Sequence, residues 1–86
     1  MSIPTKGTLL DGNSGEINVR IVNVKHIQID AVGAGTLAIS TLVEGQTDFN
    51  AQTSITAQTI ILDMDEVIKL SLSATGGDVD YAVSLY

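Results

Sequence analysis

Apolar residues recur at every second position over most of this chain. In EINVRIV (16–22), Ile17, Val19 and Ile21 share one face, and Asn18 and Arg20 take the other. VKHIQIDAV (24–32) repeats the rhythm with Ile27 and Ile29 inward and His26, Gln28 and Asp30 outward. A period of two marks a half-buried β-strand. The same reading predicts strands over 5–10, 36–44, 54–64, 67–74 and 79–86. Leu37, Ile39, Thr41 and Val43 line one side of 36–44, Ile68, Leu70 and Leu72 align on 67–74, and Val79, Tyr81, Val83 and Leu85 align on the last strand. The other side of 36–44 carries Ala38, Ser40 and Leu42, so both of its faces are only weakly polar. That strand is expected to be covered on two sides, by a second sheet or a neighbouring subunit.

Turn chemistry separates these runs. Pro4 stands just ahead of the first strand, where a residue without an N–H does least harm to a ladder. DGNSG (11–15), GAG (33–35), DMDE (63–66) and TGGD (75–78) supply turns, and the short VNV (22–24) reads as a tight corner or a bulge. Residues 46–54 form a polar stretch read as a loop. No segment holds a 3.6-residue period over three turns, and NAQTSITAQT (50–59) is too rich in Thr and Ser to be preferred as a helix. The near-repeat of AQTSI and AQTII, starting at 51 and 57, has too few copies for a β-helix and is taken as chance. The expected fold is all-β: an antiparallel β-sandwich or jelly-roll-like barrel of about eight short strands. Residues 1–86 make a single domain, with 1–7 free to serve as an N-terminal arm.

Composition sharpens this picture. Isoleucine, valine and threonine account for 27 of 86 residues, the types that sit well on a pleated surface. A chain of this size buries only about 60% of its unfolded surface. With one Phe, two Tyr, no Trp and no Cys, neither large rings nor disulfides reinforce the core. Oligomerisation is the remaining common reinforcement. A formal charge of −6, with only Lys6, Arg20, Lys25 and Lys69 basic, argues against a phosphate-backbone footprint, so no nucleic acid is expected. Apolar runs such as IIL (60–62) fall far short of a membrane span, and MSIPTKG has no apolar core of a secretory signal.

Candidate chemistry is sparse. His26 is the one histidine, and no G-x-S-x-G elbow or cysteine offers it a nucleophile, so it reads as a solvent-facing strand residue. Acidic residues gather at Asp63, Asp65 and Glu66 and at Asp78 and Asp80. If both turns lay at one end of the sandwich, their oxygens could converge on Ca²⁺, although no complete cation loop is present. Carboxylates that solvate turns and blunt edge pairing are the preferred reading. A glycosidase pair would need an aromatic-lined cleft. A lectin would need an exposed ring, for which Phe49 and Tyr86 are the candidates. GAGT (33–36) resembles the start of a dinucleotide fingerprint but lacks the third glycine and a following helix. NSG (13–15) is not a glycosylation sequon. No catalytic, cofactor-binding or metal-binding residue is assigned, and no cofactor is expected.

From about residue 24 onward the chain resembles small β-sandwich virion structural proteins of tailed bacteriophages. The resemblance lies in the GTLAISTLVEG strand, the polar QTDFNAQTS loop, TAQTIILDMDEVIKLSLSAT, and the closing GGDVDYAVSLY. It implies a non-enzymatic particle component located in the virion, assembled in the host cytoplasm. A capsid decoration or cement protein that stabilises the head is favoured, bound to the major capsid protein or other virion proteins as a homo-oligomer, with a trimer preferred. A neck or tail adaptor or fibre-associated component is the first alternative, and a carbohydrate- or calcium-binding lectin the second. No membrane partner is implied.

Overall fold

The computed structural model describes residues 2–19, 26–63 and 66–86. They form β1 (Lys6–Leu9), β2 (Ser14–Asn18), β3 (His26–Val32), β4 (Thr36–Val43), β5 (Asn50–Ile55), β6 (Thr59–Asp63), β7 (Val67–Thr75) and β8 (Val79–Leu85). Two four-stranded sheets result, ordered β1-β8-β3-β6 and β2-β7-β4-β5, and all pairings between these strands are antiparallel. The first strand pairs with the eighth, the second with the seventh, the third with the sixth and the fourth with the fifth. The chain is therefore one long hairpin, folded back between β4 and β5 and rolled so that alternate strand pairs land in alternate sheets. That is jelly-roll topology. Pairing of β3 with β8 and of β4 with β7 closes the roll.

The alternation decides which side faces in. Ile17, Ile27, Ile29, Leu37, Ile39, Leu70, Leu72 and Val79 are all at most 2% exposed and meet between the sheets. Each such side chain contributes about 1.5–3 kcal/mol relative to exposure. Thr41 is buried among them, and its hydroxyl accepts a hydrogen bond from Gln52 Nε2 at 2.9 Å. The bond depends on a bulge. Between Ile39 and Ser40 the β4–β5 register shifts, so Gln52 is the extra residue.

The structure departs from the sequence reading at several places. Residues 50–55 form a strand, because β5 lies at a sheet edge where only Ile55 is buried and no apolar alternation is required. The predicted strand 54–64 is broken at Thr56–Gln58, where Ala57 takes a φ of 46° and the chain leaves one sheet for the other. The two copies of the near-repeat consequently lie largely on strands of different sheets. On β7, Val67 is buried and Ile68 half-buried, since a second register shift makes Ile68 the bulged residue. On the outer face of β4 Ala38 and Ser40 are half-buried beside Ser73 and Ser71 and Leu42 is buried, while Val43, expected inward, is half-buried. The turn expected over 11–15 is tighter, and β2 begins at Ser14. Arg20, Ile21, the VNV corner, Lys25 and Asp65 lie outside the described residues.

Residues 2–5, expected within an arm, lie against the body. Ser2 bridges to Glu16, Ile3 N–H donates to Glu16 O at 2.9 Å, and the Ile3 side chain packs on the core over Gly15, where a Cβ would have no room. Val83 N–H donates to Thr5 O at 2.7 Å, and the Tyr81 hydroxyl donates to Pro4 O at 2.8 Å. The segment thus ties the β2 edge of one sheet to β8 of the other.

The GAG and TGGD turns pack backbone to backbone. Gly35 N–H donates to Asp78 O at 3.2 Å, and a Cβ on Gly35 would fall 2.1 Å from Gly77 O. Gly35→Ala is therefore expected to destabilise the fold by about 1–3 kcal/mol in urea unfolding. Burial raises the Tyr81 phenol above its usual value of 10.0. The unfolded phenol ionises first as pH rises, so this contribution to stability is complete below about pH 10 and is lost from there up to the folded value. Tyr81→Phe is expected to remove that part of the alkaline loss and to cost about 1 kcal/mol at neutral pH, as read by denaturant melts across pH.

Candidate functional site on the outer face of β8, β3 and β6

The hydrogen-bond alternation of the sheet places the side chains of this face. His26 N–H donates to Tyr86 O at 2.8 Å and Tyr86 N–H to His26 O at 3.0 Å, while Ala31 N–H donates to Gln58 O at 3.0 Å. Even-numbered residues of β3 therefore bond toward β8 and odd-numbered ones toward β6. It follows that His26/Asp63, Gln28/Ile61 and Asp30/Thr59 are the non-bonded pairs of the β3–β6 ladder, where side chains come closest.

Their contacts follow that spacing. His26 Nδ1 is hydrogen-bonded to the Asp63 carboxylate, and Thr59 Oγ1 donates to Asp30 Oδ1 at 2.6 Å. The Tyr86 ring lies against His26 with centroids 5.6 Å apart and planes at 38°. Its hydroxyl donates to Gln28 Oε1 at 3.2 Å. Asp63, His26, Tyr86 and Gln28 thus form one cross-strand chain of contacts, with Ile61 exposed beside it. Asp63 orients the imidazole as in a catalytic dyad, but among the described residues no serine or threonine is hydrogen-bonded to the ring. The pair joins β3 to β6 across a non-bonded position of the ladder.

Compared with protein-family models, curated proteins and solved structures, the chain matches none. Its own geometry carries the rest of the reading.

The acidic candidates do not converge. Asp63 sits opposite His26 and Asp80 opposite Val32, so the two acidic turns lie at opposite ends of β3, about 20 Å apart. The Asp78 carboxylate accepts from Asp11 N–H at 2.9 Å and Asp80 from Thr8 Oγ1 at 2.6 Å. Among the described residues no group of three or more His, Asp or Glu is placed to hold a metal ion. The glycines of GAGT serve the packing against Gly77 and Asp78 rather than an open anion cradle. Phe49 is half-buried in the 44–49 loop, beside an open polar depression lined by Gly45–Asp48 and Asn50 to which it does not contribute.

Sequence reasoning placed His26 and Asp30 outward but missed their partners. His26 and Asp63 are 37 positions apart, and only the β3–β6 register brings them together. Ile61 was missed because TIIL does not alternate. Both members of the His26–Asp63 pair are largely open to solvent, with side-chain exposures of 47% and 73%. A double-mutant cycle with His26→Ala and Asp63→Ala is expected to give a coupling of about 0.2–1 kcal/mol that weakens with salt.

Proposed function

We propose that this chain is a non-enzymatic structural protein of a phage particle that works by docking on other virion proteins, most simply as a decoration of the head. One observation carries the docking role. Of the four large apolar side chains exposed among the described residues, Val32, Ile61 and Tyr86 all lie on the outer face of the β1-β8-β3-β6 sheet. An exposed apolar set on one sheet face is the mark of an interaction surface. Asp30, Asp63 and Asp80 share that face, so a complementary partner surface is apolar with basic groups at its rim.

The interior supports a binding module over a chamber for chemistry. The space between the sheets is filled by Ile, Leu and Val, and the polar groups of His26, Asp30, Asp78 and Asp80 are engaged in cross-strand and turn bonds. Jelly rolls occur in viral capsid and lectin domains alike, so the topology is an analogy that favours both above an enzyme. The particle itself is favoured by the resemblance over residues 24–86.

The test is protein mass spectrometry of purified particles made by the genome that encodes the chain. A decoration protein is expected at a copy number comparable with the major capsid protein. A copy number matching a single ring would indicate the adaptor, and absence from particles would overturn the reading.

A further inference from the structure

The four sheet edges are not equally protected. Residues Ser2 and Ile3 lie along β2, and β1 is a short edge carrying Lys6 and Thr8. At β5 the edge is polar and interrupted by the Gln52 bulge. These are the usual devices that prevent strand addition. The remaining edge, β6, is the least protected: it pairs with β3 in continuous register, carries Ile60, Ile61 and Leu62 in succession, contains no Lys or Pro, and has its one charge, Asp63, at its end. Among the described residues its far side has no backbone partner.

The bonding alternation says which groups are unpaired. Residues 58, 60 and 62 turn their N–H and C=O toward β3, so Thr59, Ile61 and Asp63 turn theirs to the free edge. We propose that β6 is the homodimer interface: a second copy adds antiparallel across a two-fold axis at Ile61, continuing the sheet from one protomer into the next.

The sequence of β6 is self-complementary in that register. Ile61 faces its copy on the outer side of the sheet, and Ile60 faces Leu62 of the copy on the inner side, where both are half-buried in the monomer. At the ends Thr59 opposes Asp63, so that no two carboxylates face each other. Every outward N–H and C=O of Thr59, Ile61 and Asp63 finds a partner. The two Asp63 carboxylates stand four residues apart along the ladder, about 14 Å, outside the ~10 Å screening length at 0.1 M salt. A slip by one residue places Ile61 opposite a residue of the other face and loses this match.

Size sets the strength. The edge is five residues long, about 17 Å, on a body whose shortest extent is 20 Å, so strand addition there buries on the order of 700 Å² in total, below the ~1,200 Å² of a standard interface. The dimer is therefore reversible and grows in with concentration. It follows from β6 itself, whether or not the chain is carried on a virus particle.

The test uses the full chain in sedimentation equilibrium from micromolar to millimolar concentration. The mass is expected to rise from 9.0 kDa toward twice that value. Ile61→Lys, at a site 53% exposed and not bonded to β3, is expected to weaken the dimer at least tenfold while leaving the circular dichroism unchanged. Because the chain has no cysteine, Ile61→Cys reads the register directly. Facing residues of a bonded antiparallel pair are about 5.5 Å apart at Cα, within disulfide reach, so Ile61→Cys is expected to crosslink on oxidation and Val32→Cys, one strand inside the edge, is not. A monomer at all concentrations, a trimer, a dimer indifferent to Ile61→Lys, or equal crosslinking at Val32 would each overturn the proposal.

Discussion

Two four-stranded sheets face each other across a single layer of Ile, Leu, Val and Ala, with Tyr81 as its one buried aromatic ring. A layer this thin has no reserve. Because inward and outward positions alternate between the bulges, a one-residue slip in a strand would carry its apolar set to the solvent face. Register is therefore the constraint on which the rest depends. It seats Ile27 and Ile29 opposite Leu62 and Ile60 on the inner side, and thereby sets His26 against Asp63 and Asp30 against Thr59 on the outer side. The polar contacts on the surface are consequences of the burial beneath them.

The rolled hairpin gives the same constraint a second consequence. Pairing β1 with β8 and β2 with β7 leaves β1 and β2 at one edge of the two sheets and β5 and β6 at the other. At the other side, residues 2–5 run from β2 to β8 and are fixed by Ile3, Thr5 and the Tyr81 hydroxyl. One side of the sandwich is thus sealed by the N-terminal segment. The other presents a polar, bulged strand and an apolar, regular one. That asymmetry is the physical basis for expecting contacts through β6 and the adjoining face, where Ile61 and Tyr86 stay exposed.

The sequence was most readable where burial imposes a period of two. Strands 26–32, 36–43 and 79–85, and the inward placement of Ile17, Ile27, Ile29, Leu37 and Ile39, follow from alternation alone. The edge strands β5 and β6 were poorly readable because only one of their residues, or none, is obliged to be apolar. Thus residues 46–54 read as a loop and 54–64 as one strand, the break at Ala57 having no Gly or Pro to signal it. Bulges were invisible for a related reason: Gln52 and Ile68 are out of step only relative to their partners on β4. The outer-face site needed the β3–β6 register, and no local signal links His26 with a residue 37 positions away.

In the isolated chain the register leaves the odd-numbered backbone groups of β6 unpaired. Residue-resolved amide hydrogen exchange tests it most directly. Ile60 and Leu62 are expected to exchange slowly in dilute and concentrated solution alike, and Ile61 to exchange fast when dilute and to slow as the concentration rises. An Ile61 amide as well protected as its neighbours in dilute solution would contradict it.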